Sequence, residues 1–185
     1  KDNILTGAIV GYTNVGKSTL LNALTASNVL AEHKLFATLD ITSRMLELPD
    51  GRSIMLTDTV GLIRRLPHQL IEAFKSTLEE AATADIIINI IDISAEDGLE
   101  QAEVTDSLLN ELGCGGIPKI RVYNKADKIE NPESLPNDDK TVIISAEKRS
   151  GFENLLSCIA ANLPKTSVRH TFLIPYNQTS VINLI

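Results

Sequence analysis

Apolar and polar positions along this chain follow two different periods. Short apolar runs, typical of β-strands, recur between segments in which apolar residues return every three or four positions, as on one face of a helix. The run 86–91, Ile-Ile-Ile-Asn-Ile-Ile, is apolar at almost every position, which indicates a strand buried on both faces of a sheet. This alternation predicts an α/β fold with a mainly parallel, six-stranded sheet and helices on both faces.

Two of the predicted strands form a hairpin. Residues 43–48 and 53–56 flank Pro-Asp-Gly-Arg at 49–52, a turn signature, so one strand should run antiparallel to the rest. Residues 28–40 lack a sustained period and are predicted to form a loop. The other strands are predicted at 4–10, 86–91, 117–123 and 141–144, and the helices at about 19–25, 70–83, 99–112 and 152–163.

The most specific motif lies between the first strand and the first helix. Residues 11–18 read Gly-Tyr-Thr-Asn-Val-Gly-Lys-Ser and fill the P-loop pattern, with the strand and helix that this motif requires on either side. The N–H groups of such a loop and the positive end of the helix dipole favour a phosphate chain. Lys17 is predicted to reach the outer phosphates and Ser18 to hold Mg²⁺. The candidate nucleotide-binding residues here are Gly11, Tyr12, Thr13, Asn14, Val15, Gly16, Lys17, Ser18 and Thr19.

A second motif, Asp58-Thr59-Val60-Gly61, stands at the end of the third predicted strand. Asp58 is placed to reach a Mg²⁺ ion beside the phosphates, usually through water, and Gly61 lets the backbone approach a γ-phosphate. Alone, this pattern would indicate only a turn. After a P-loop and a hairpin it is a candidate metal-binding motif.

Two further motifs also follow strands. In Asn124-Lys125-Ala126-Asp127, the aspartate can accept two hydrogen bonds from guanine, whereas adenine would place a lone pair against it. Asn124 is predicted to tether the P-loop, and the Lys125 stem to cover the base. In Ser145-Ala146-Glu147, the Ala146 N–H is predicted to donate to the guanine carbonyl. All four motifs lie at strand carboxyl ends, where α/β sheets bind ligands.

Together these motifs resemble a translation-factor-type GTPase domain of the P-loop class. Several stretches narrow the resemblance to the HflX family of ribosome-associated GTPases, and it covers about residues 8–163, with weaker similarity at 172–176. The chain departs from the family pattern at Ile41, where a proline is usual, and at Leu62, where phenylalanine is usual. The stretches that carry the resemblance are 35–40, 58–63, 66–68 and 72–80.

The resemblance implies a Ras-like G domain that hydrolyses GTP slowly with Mg²⁺. It assigns the switch I threonine to Thr38, whereas spacing alone leaves Thr38, Thr42 and Ser43 as alternatives. Switch I adds Phe36, Ala37, Thr38, Leu39 and Asp40 to the nucleotide-binding residues. The metal ligands would be Ser18, Thr38 and Asp58, and the catalytic residues Lys17, Thr38, Gly61 and Asn14.

Leu62 bears on the mechanism. Ras-like enzymes place a glutamine at this point to orient the attacking water, and leucine cannot do so. Either intrinsic hydrolysis is slow or another group acts. Asn14 resembles a P-loop asparagine that helps bind K⁺ in GTPases lacking the glutamine; the alternative is that it only braces the loop.

Composition sets the remaining expectations. The chain has 185 residues, a net charge of −7 and two isolated cysteines, which indicates a reduced cytoplasmic protein without general affinity for nucleic acid. No apolar stretch approaches the roughly 20 residues that span a membrane. We expect a G domain over 1–164 and an extended tail over 165–185, cut from a longer protein and monomeric when isolated.

By resemblance, the full-length protein would bind the large ribosomal subunit and help split or rescue ribosomes, without direct DNA binding. Arg64, Arg65 and His68 are either solvated surface groups or contacts to ribosomal RNA. Two alternatives to a GTPase are a nucleotide-dependent binding module with negligible hydrolysis and a P-loop ATPase or kinase. Asp127 argues against the last.

Overall fold

A six-stranded sheet forms the centre of the fold. The computed structural model describes residues 4–26, 43–59, 81–136 and 138–164. The strands lie in the order β2-β3-β1-β4-β5-β6. They are β1 (Leu5–Gly11), β2 (Ser43–Glu47), β3 (Ser53–Asp58), β4 (Ile86–Asp92), β5 (Lys119–Asn124) and β6 (Thr141–Ile143).

Only the β2–β3 pair is antiparallel among the described strands, which confirms the predicted hairpin. The Gly51 N–H donates to the Leu48 carbonyl at 2.9 Å, and the Leu48 N–H donates to the Arg52 carbonyl at 2.8 Å. Gly51 has φ +82°, a conformation that glycine adopts without a steric penalty. β3 runs two residues beyond its predicted end because Thr57 and Asp58 pair with β1. This extension carries Asp58 to the edge where β1 ends.

Three helices flank the sheet: α1 (Lys17–Ala26), α2 (Gly98–Glu111) and α3 (Phe152–Asn162). On one face, apolar side chains of α1 and α3 pack with alternate residues of the strands, including Ile88 of β4. On the other face, Leu109 of α2 packs with Val10 and Ile87. The predicted two-sided arrangement is therefore confirmed. Of the helix predicted at 70–83, residues 81–82 are helical and 70–80 lie outside the described residues.

The hairpin turn is bonded to the end of α3. The Arg52 guanidinium donates to the carbonyl of Ala160 and, at 3.3 Å, to that of Pro164, while Asp50 accepts from its Nε at 2.8 Å. These carbonyls belong to the last turn of the helix and its exit, where no intrahelical donor is available. Arg52 therefore caps α3 from a strand turn more than 100 residues earlier in the sequence.

Within the described ranges, no helix has both the length and the apolar character needed to cross a bilayer.

Short 3₁₀ turns connect the remaining elements. One of them, Ala126–Lys128, directly follows β5. Another, Pro132–Ser134, lies between β5 and β6.

Candidate functional site

The P-loop runs from the end of β1 to the start of α1 and needs unusual backbone conformations. Gly11 has φ +150°, Gly16 φ +100° and Asn14 φ +63°. A Cβ at Gly16 would lie 2.4 Å from Asn124 Nδ2, so only glycine lets the loop approach that side chain. The side chains of Thr13, Asn14, Ser18 and Thr19 are exposed. The loop thus presents polar groups to a ligand while its glycines hold its shape.

Lys17 lies within the loop, with only 8% of its surface exposed. Its Nζ donates to the Tyr12 carbonyl at 2.9 Å and to the Gly11 carbonyl at 3.3 Å. Burial lowers the pKa of this ammonium, and the nearby charge of Asp58 opposes the shift. The loop carbonyls therefore hold the Lys17 ammonium beside the first turn of α1. The N–H groups of that turn point toward the same place.

Ser18 and Asp58 meet beside Lys17. The Ser18 hydroxyl donates to Asp58 Oδ2 at 2.6 Å, and Asp58 Oδ1 is buried without a hydrogen-bond partner among the described residues. Hydroxyl and carboxylate oxygens are ligands that Mg²⁺ prefers, and this ion usually keeps water and phosphate ligands as well. No cluster of three or more His, Cys, Asp or Glu residues occurs in the described part of the chain, so protein groups alone would not complete a metal shell there. The residues present fit a Mg²⁺ ion shared with a phosphate ligand.

Thr59 fixes the chain just after Asp58. Its side chain is buried, and its hydroxyl donates to the Ile9 carbonyl at 2.6 Å. Its N–H donates to the same carbonyl at 3.2 Å. The Thr59 side chain is thus hydrogen-bonded to β1, and this bond fixes the backbone directly after Asp58.

Asn124 connects the P-loop to the segment after β6. Its Nδ2 donates to the Val15 carbonyl at 2.8 Å, which is the tether predicted from the sequence. Its Oδ1 accepts from the Ala146 N–H at 2.9 Å. That N–H was predicted to donate to a guanine carbonyl; in this structure it donates to Asn124. A single buried amide therefore joins three loops.

Lys125 lies over the P-loop, with φ +64°. Its Nζ donates to the Asn14 carbonyl at 2.9 Å and to Asp92 Oδ2 at 2.5 Å. Asp92 was not among the residues chosen from the sequence. The signal was nevertheless present, because Asp92 ends the buried run 86–91 just as Asp58 and Asn124 end β3 and β5.

Asp127 is exposed, and its orientation is set by Ser145. The Lys148 N–H donates to Ser145 Oγ at 3.1 Å, and that hydroxyl in turn donates to Asp127 Oδ1 at 2.5 Å. The hydrogen bond from Ser145 lowers the pKa of the Asp127 carboxyl below its ordinary value of 3.8. Glu147, next to this pair, is exposed and points to solvent.

The structure thus brings parts of all four motifs to one edge of the sheet. Lys17, Ser18 and Asp58 lie together at one end, Asn124 lies at the centre, and Asp127 lies beyond it with Ser145. The remaining predicted site residues lie outside the described part of the chain. They are Phe36, Ala37, Thr38, Leu39, Asp40, Val60 and Gly61, together with Leu62, Arg64, Arg65 and His68.

Known proteins are similar to this chain in sequence. A profile of the family described as "50S ribosome-binding GTPase" matches residues 6–125. GTPase HflX of Caldanaerobacter subterraneus subsp. tengcongensis is 49% identical over 185 residues, which is all of this chain and 43% of that protein. The chain therefore spans less than half the length of this relative.

Solved structures share the fold. A GTP-binding protein from the hyperthermophilic archaeon Sulfolobus solfataricus, in complex with GDP, matches with a TM-score of 0.67 at 32% identity, over 85% of this chain and 51% of that one. The complex of SsGBP with GDP matches with a TM-score of 0.69 at 33% identity, over 87% of this chain and 50% of that one.

Proposed function

This chain belongs to the HflX family of GTPases, and we propose that it binds guanine nucleotides at the carboxyl edge of its sheet and hydrolyses GTP to GDP and phosphate. The observation that carries the proposal is the double hydrogen bond of Asn124, which joins the P-loop at Val15 to the segment of Ala146. A nucleotide would use both segments, with its phosphate chain at the P-loop and its base beside Asp127.

The base end is suited to guanine. A carboxylate accepts hydrogen bonds and donates none, so Asp127 matches the ring N–H and exocyclic amine that guanine presents together. Ser145 holds one carboxylate oxygen, which fixes the plane in which the group accepts. A site of this kind can reject a base lacking those donors by roughly 10⁴–10⁵.

The phosphate end is suited to a triphosphate with Mg²⁺. Ser18 and Asp58 would hold the ion, with Thr38 as a third protein ligand. The ion, when bound, neutralises charge on the phosphate oxygens. Lys17 brings its own positive charge to the outer phosphates, and the loop N–H groups orient them. Phosphoryl transfer to water depends mainly on such positioning and charge.

Hydrolysis by the isolated chain is proposed to be slow. Leu62 offers no group to orient water, and Gly61 would contribute its backbone N–H to the γ-phosphate. We include Asn14 as a ligand for K⁺ near the phosphates, a position supported by its exposed side chain. The observation at Leu62 also favours a second candidate function, a nucleotide-dependent binding module that turns over negligibly without a partner.

The proposed partner of the full-length protein is the large ribosomal subunit, where the nucleotide state would control attachment and help split or rescue ribosomes. The description of the family as ribosome-binding supports this choice. The net charge of −7 argues against general RNA affinity, so contact requires a local patch or another part of the full-length protein. Residues 1–164 would form the monomeric G domain and 165–185 an extended tail. A cytoplasmic location is supported by the free thiols of Cys114 and Cys158.

A turnover assay tests the proposal. GTP hydrolysis is measured with and without large ribosomal subunits, and labelled GDP is competed with GTP and with ATP. We expect slow turnover, acceleration by the subunits and displacement by GTP only. Lys17→Ala should lose nucleotide binding, and Lys140→Ala, which removes an exposed lysine, should retain it. Equal displacement by ATP would refute guanine selectivity, and binding without turnover in either condition would favour the binding module.

A further inference from the structure

The carboxylate of Asp92, the last residue of β4, is held from two sides. Its Oδ1 accepts from the Ser94 N–H at 3.0 Å and from the Ser94 hydroxyl at 2.6 Å. Its Oδ2 accepts from Lys125 Nζ at 2.5 Å. Only 16% of the Asp92 side chain is exposed, so water competes weakly for these bonds. The carboxylate therefore has one defined position.

Lys125 transmits that position to the P-loop. The same ammonium that meets Asp92 donates to the Asn14 carbonyl at 2.9 Å. A lysine side chain has four rotatable bonds and settles in one geometry only where its head group is anchored. Asp92 supplies that anchor from a strand that contributes none of the four sequence motifs.

We propose that Asp92 is a positioning residue for nucleotide binding. Its carboxylate holds the Lys125 ammonium against the Asn14 carbonyl, and this fixes the P-loop relative to the segment 124–127 that carries Asp127. The inference rests on the proposed function, since it takes 124–127 as the base-binding segment. It adds to that function a residue that touches neither base nor phosphate and acts through Lys125.

The backbone of Asp92 is held independently of its carboxylate. Asp92 pairs with Asn124 across the β4–β5 ladder, and the Ile93 N–H donates to the Asn124 carbonyl at 3.1 Å. A Cβ at Gly98 would lie 2.2 Å from the Asp92 carbonyl oxygen, so the start of α2 packs directly on this backbone. Neutralising the side chain therefore removes the anchor of Lys125 and leaves the path of the chain in place.

Dissociation of a fluorescent GDP analogue from the full 185-residue chain tests the proposal. We expect Asp92→Asn to accelerate dissociation about tenfold, and Asp92→Glu, which keeps the charge, to fall between this variant and the wild type. Asp106→Asn is the matched control. Its carboxylate is also 80% covered and pairs with Arg121 at 2.9 Å, but it lies on α2 away from the P-loop. Dissociation from the control should stay within about twofold of the wild type.

A double-mutant cycle with Lys125→Met separates positioning from a merely structural role. If Asp92 acts through Lys125, adding Asp92→Asn to Lys125→Met leaves the dissociation rate unchanged. The proposal is overturned if the double variant shows the product of the two single-variant effects on the dissociation rate. A wild-type dissociation rate in Asp92→Asn overturns it as well. Thermal unfolding of the nucleotide-free variants identifies any folding defect. If Asp92→Asn is defective, Asp92→Glu replaces it in the cycle with Lys125→Met. A wild-type rate in Lys125→Met also overturns the inference, whereas a wild-type chain that fails to bind the GDP analogue refutes the proposed function itself.

Discussion

The side-chain amide of Asn124 lies 2.8 Å from the carbonyl oxygen of Val15, although 109 residues separate them in the sequence. Asn124 is 2% exposed, and its other amide atom accepts from the Ala146 N–H. The P-loop and the segment after β6 are therefore held by one side chain. Neither can shift independently without breaking a buried hydrogen bond.

Asn124→Ala should lower the free energy of unfolding by about 2 kcal/mol, since each buried group left without its hydrogen bond costs roughly 1–3 kcal/mol. The affinity for GDP should fall as well, because the two segments lose their common support. Urea denaturation and GDP titration measure the two effects. Asn110→Ala, which removes an exposed asparagine, should change stability by less than about 0.5 kcal/mol. Equal stabilities for both variants would contradict the role of the buried amide.

Gly16→Ala should weaken GDP binding at least about tenfold, because its Cβ would lie 2.4 Å from Asn124 Nδ2. Gly113→Ala is the control: Gly113 also has a positive φ, +81°, but a Cβ there meets no atom within 4 Å. It should cost only the backbone strain of about 1–2 kcal/mol and leave GDP affinity unchanged. Isothermal titration and thermal unfolding distinguish the two substitutions. Similar GDP affinities would show that the close approach is unimportant.

Asp127→Asn should reduce GDP affinity roughly 100-fold or more and improve binding of xanthosine diphosphate. The asparagine amide donates where the carboxylate accepted, which matches the carbonyl that xanthine carries in place of the guanine amine. Competition against labelled GDP measures this preference. Asp138→Asn is the matched control, since Asp138 is also exposed and accepts from a hydroxyl, that of Thr141, at 2.6 Å. An unchanged preference in Asp127→Asn would refute the base-reading role.

Stability in acid should depend on Asp92. Burial raises the pKa of its carboxyl, but the hydrogen bonds from Lys125 and Ser94 outweigh this effect, so the folded-state pKa lies below 3.8. A lowered folded-state pKa contributes stability above the unfolded value of about 3.9, and this stability is lost as pH falls through the folded value. The stability difference between the wild type and Asp92→Asn should therefore shrink below about pH 4. Denaturant unfolding across this range checks the sign, and a difference that grows in acid would contradict it.

Replacing K⁺ with Na⁺ should slow GTP hydrolysis at least about tenfold if Asn14 binds K⁺. A cation between the phosphates would act as an arginine finger does, an effect worth up to roughly 10³–10⁵ in rate. Asn14→Ala should turn over equally in both salts. Rates measured at constant ionic strength test this, and equal wild-type rates would remove K⁺ from the proposed mechanism.

Much of the fold followed from local patterns. The continuous apolar run predicted β4, and Pro49-Asp50-Gly51-Arg52 predicted the hairpin, because turn chemistry and burial are encoded within a few residues. The motif Asn124-Lys125-Ala126-Asp127 likewise predicted the tether from Asn124 to the P-loop. Strand ends were less accurate, as at β3, where pairing with β1 extends the strand to Asp58.

The sequence places Asp92 at the end of a buried run, but it does not place this residue beside Lys125. Its contact with Lys125 depends on β4 lying beside β5. Strand order is a tertiary property that the hydrophobic pattern of the sequence does not specify. The bond from Thr59 to Ile9 is of the same kind, since it requires β3 beside β1. The predicted switch I residues and residues 60–68 lie outside the described part of the chain, and their roles stay predictions.

The bonds from Arg52 to Ala160 and Pro164 have a mechanical consequence. Traction on the backbone where it leaves α3 is shared between the helix and, through the guanidinium, the β2–β3 turn. β3 carries that turn at one end and Asp58 at the other. We therefore expect a pull on the segment that follows residue 164 to act on β3, the strand that ends at Asp58.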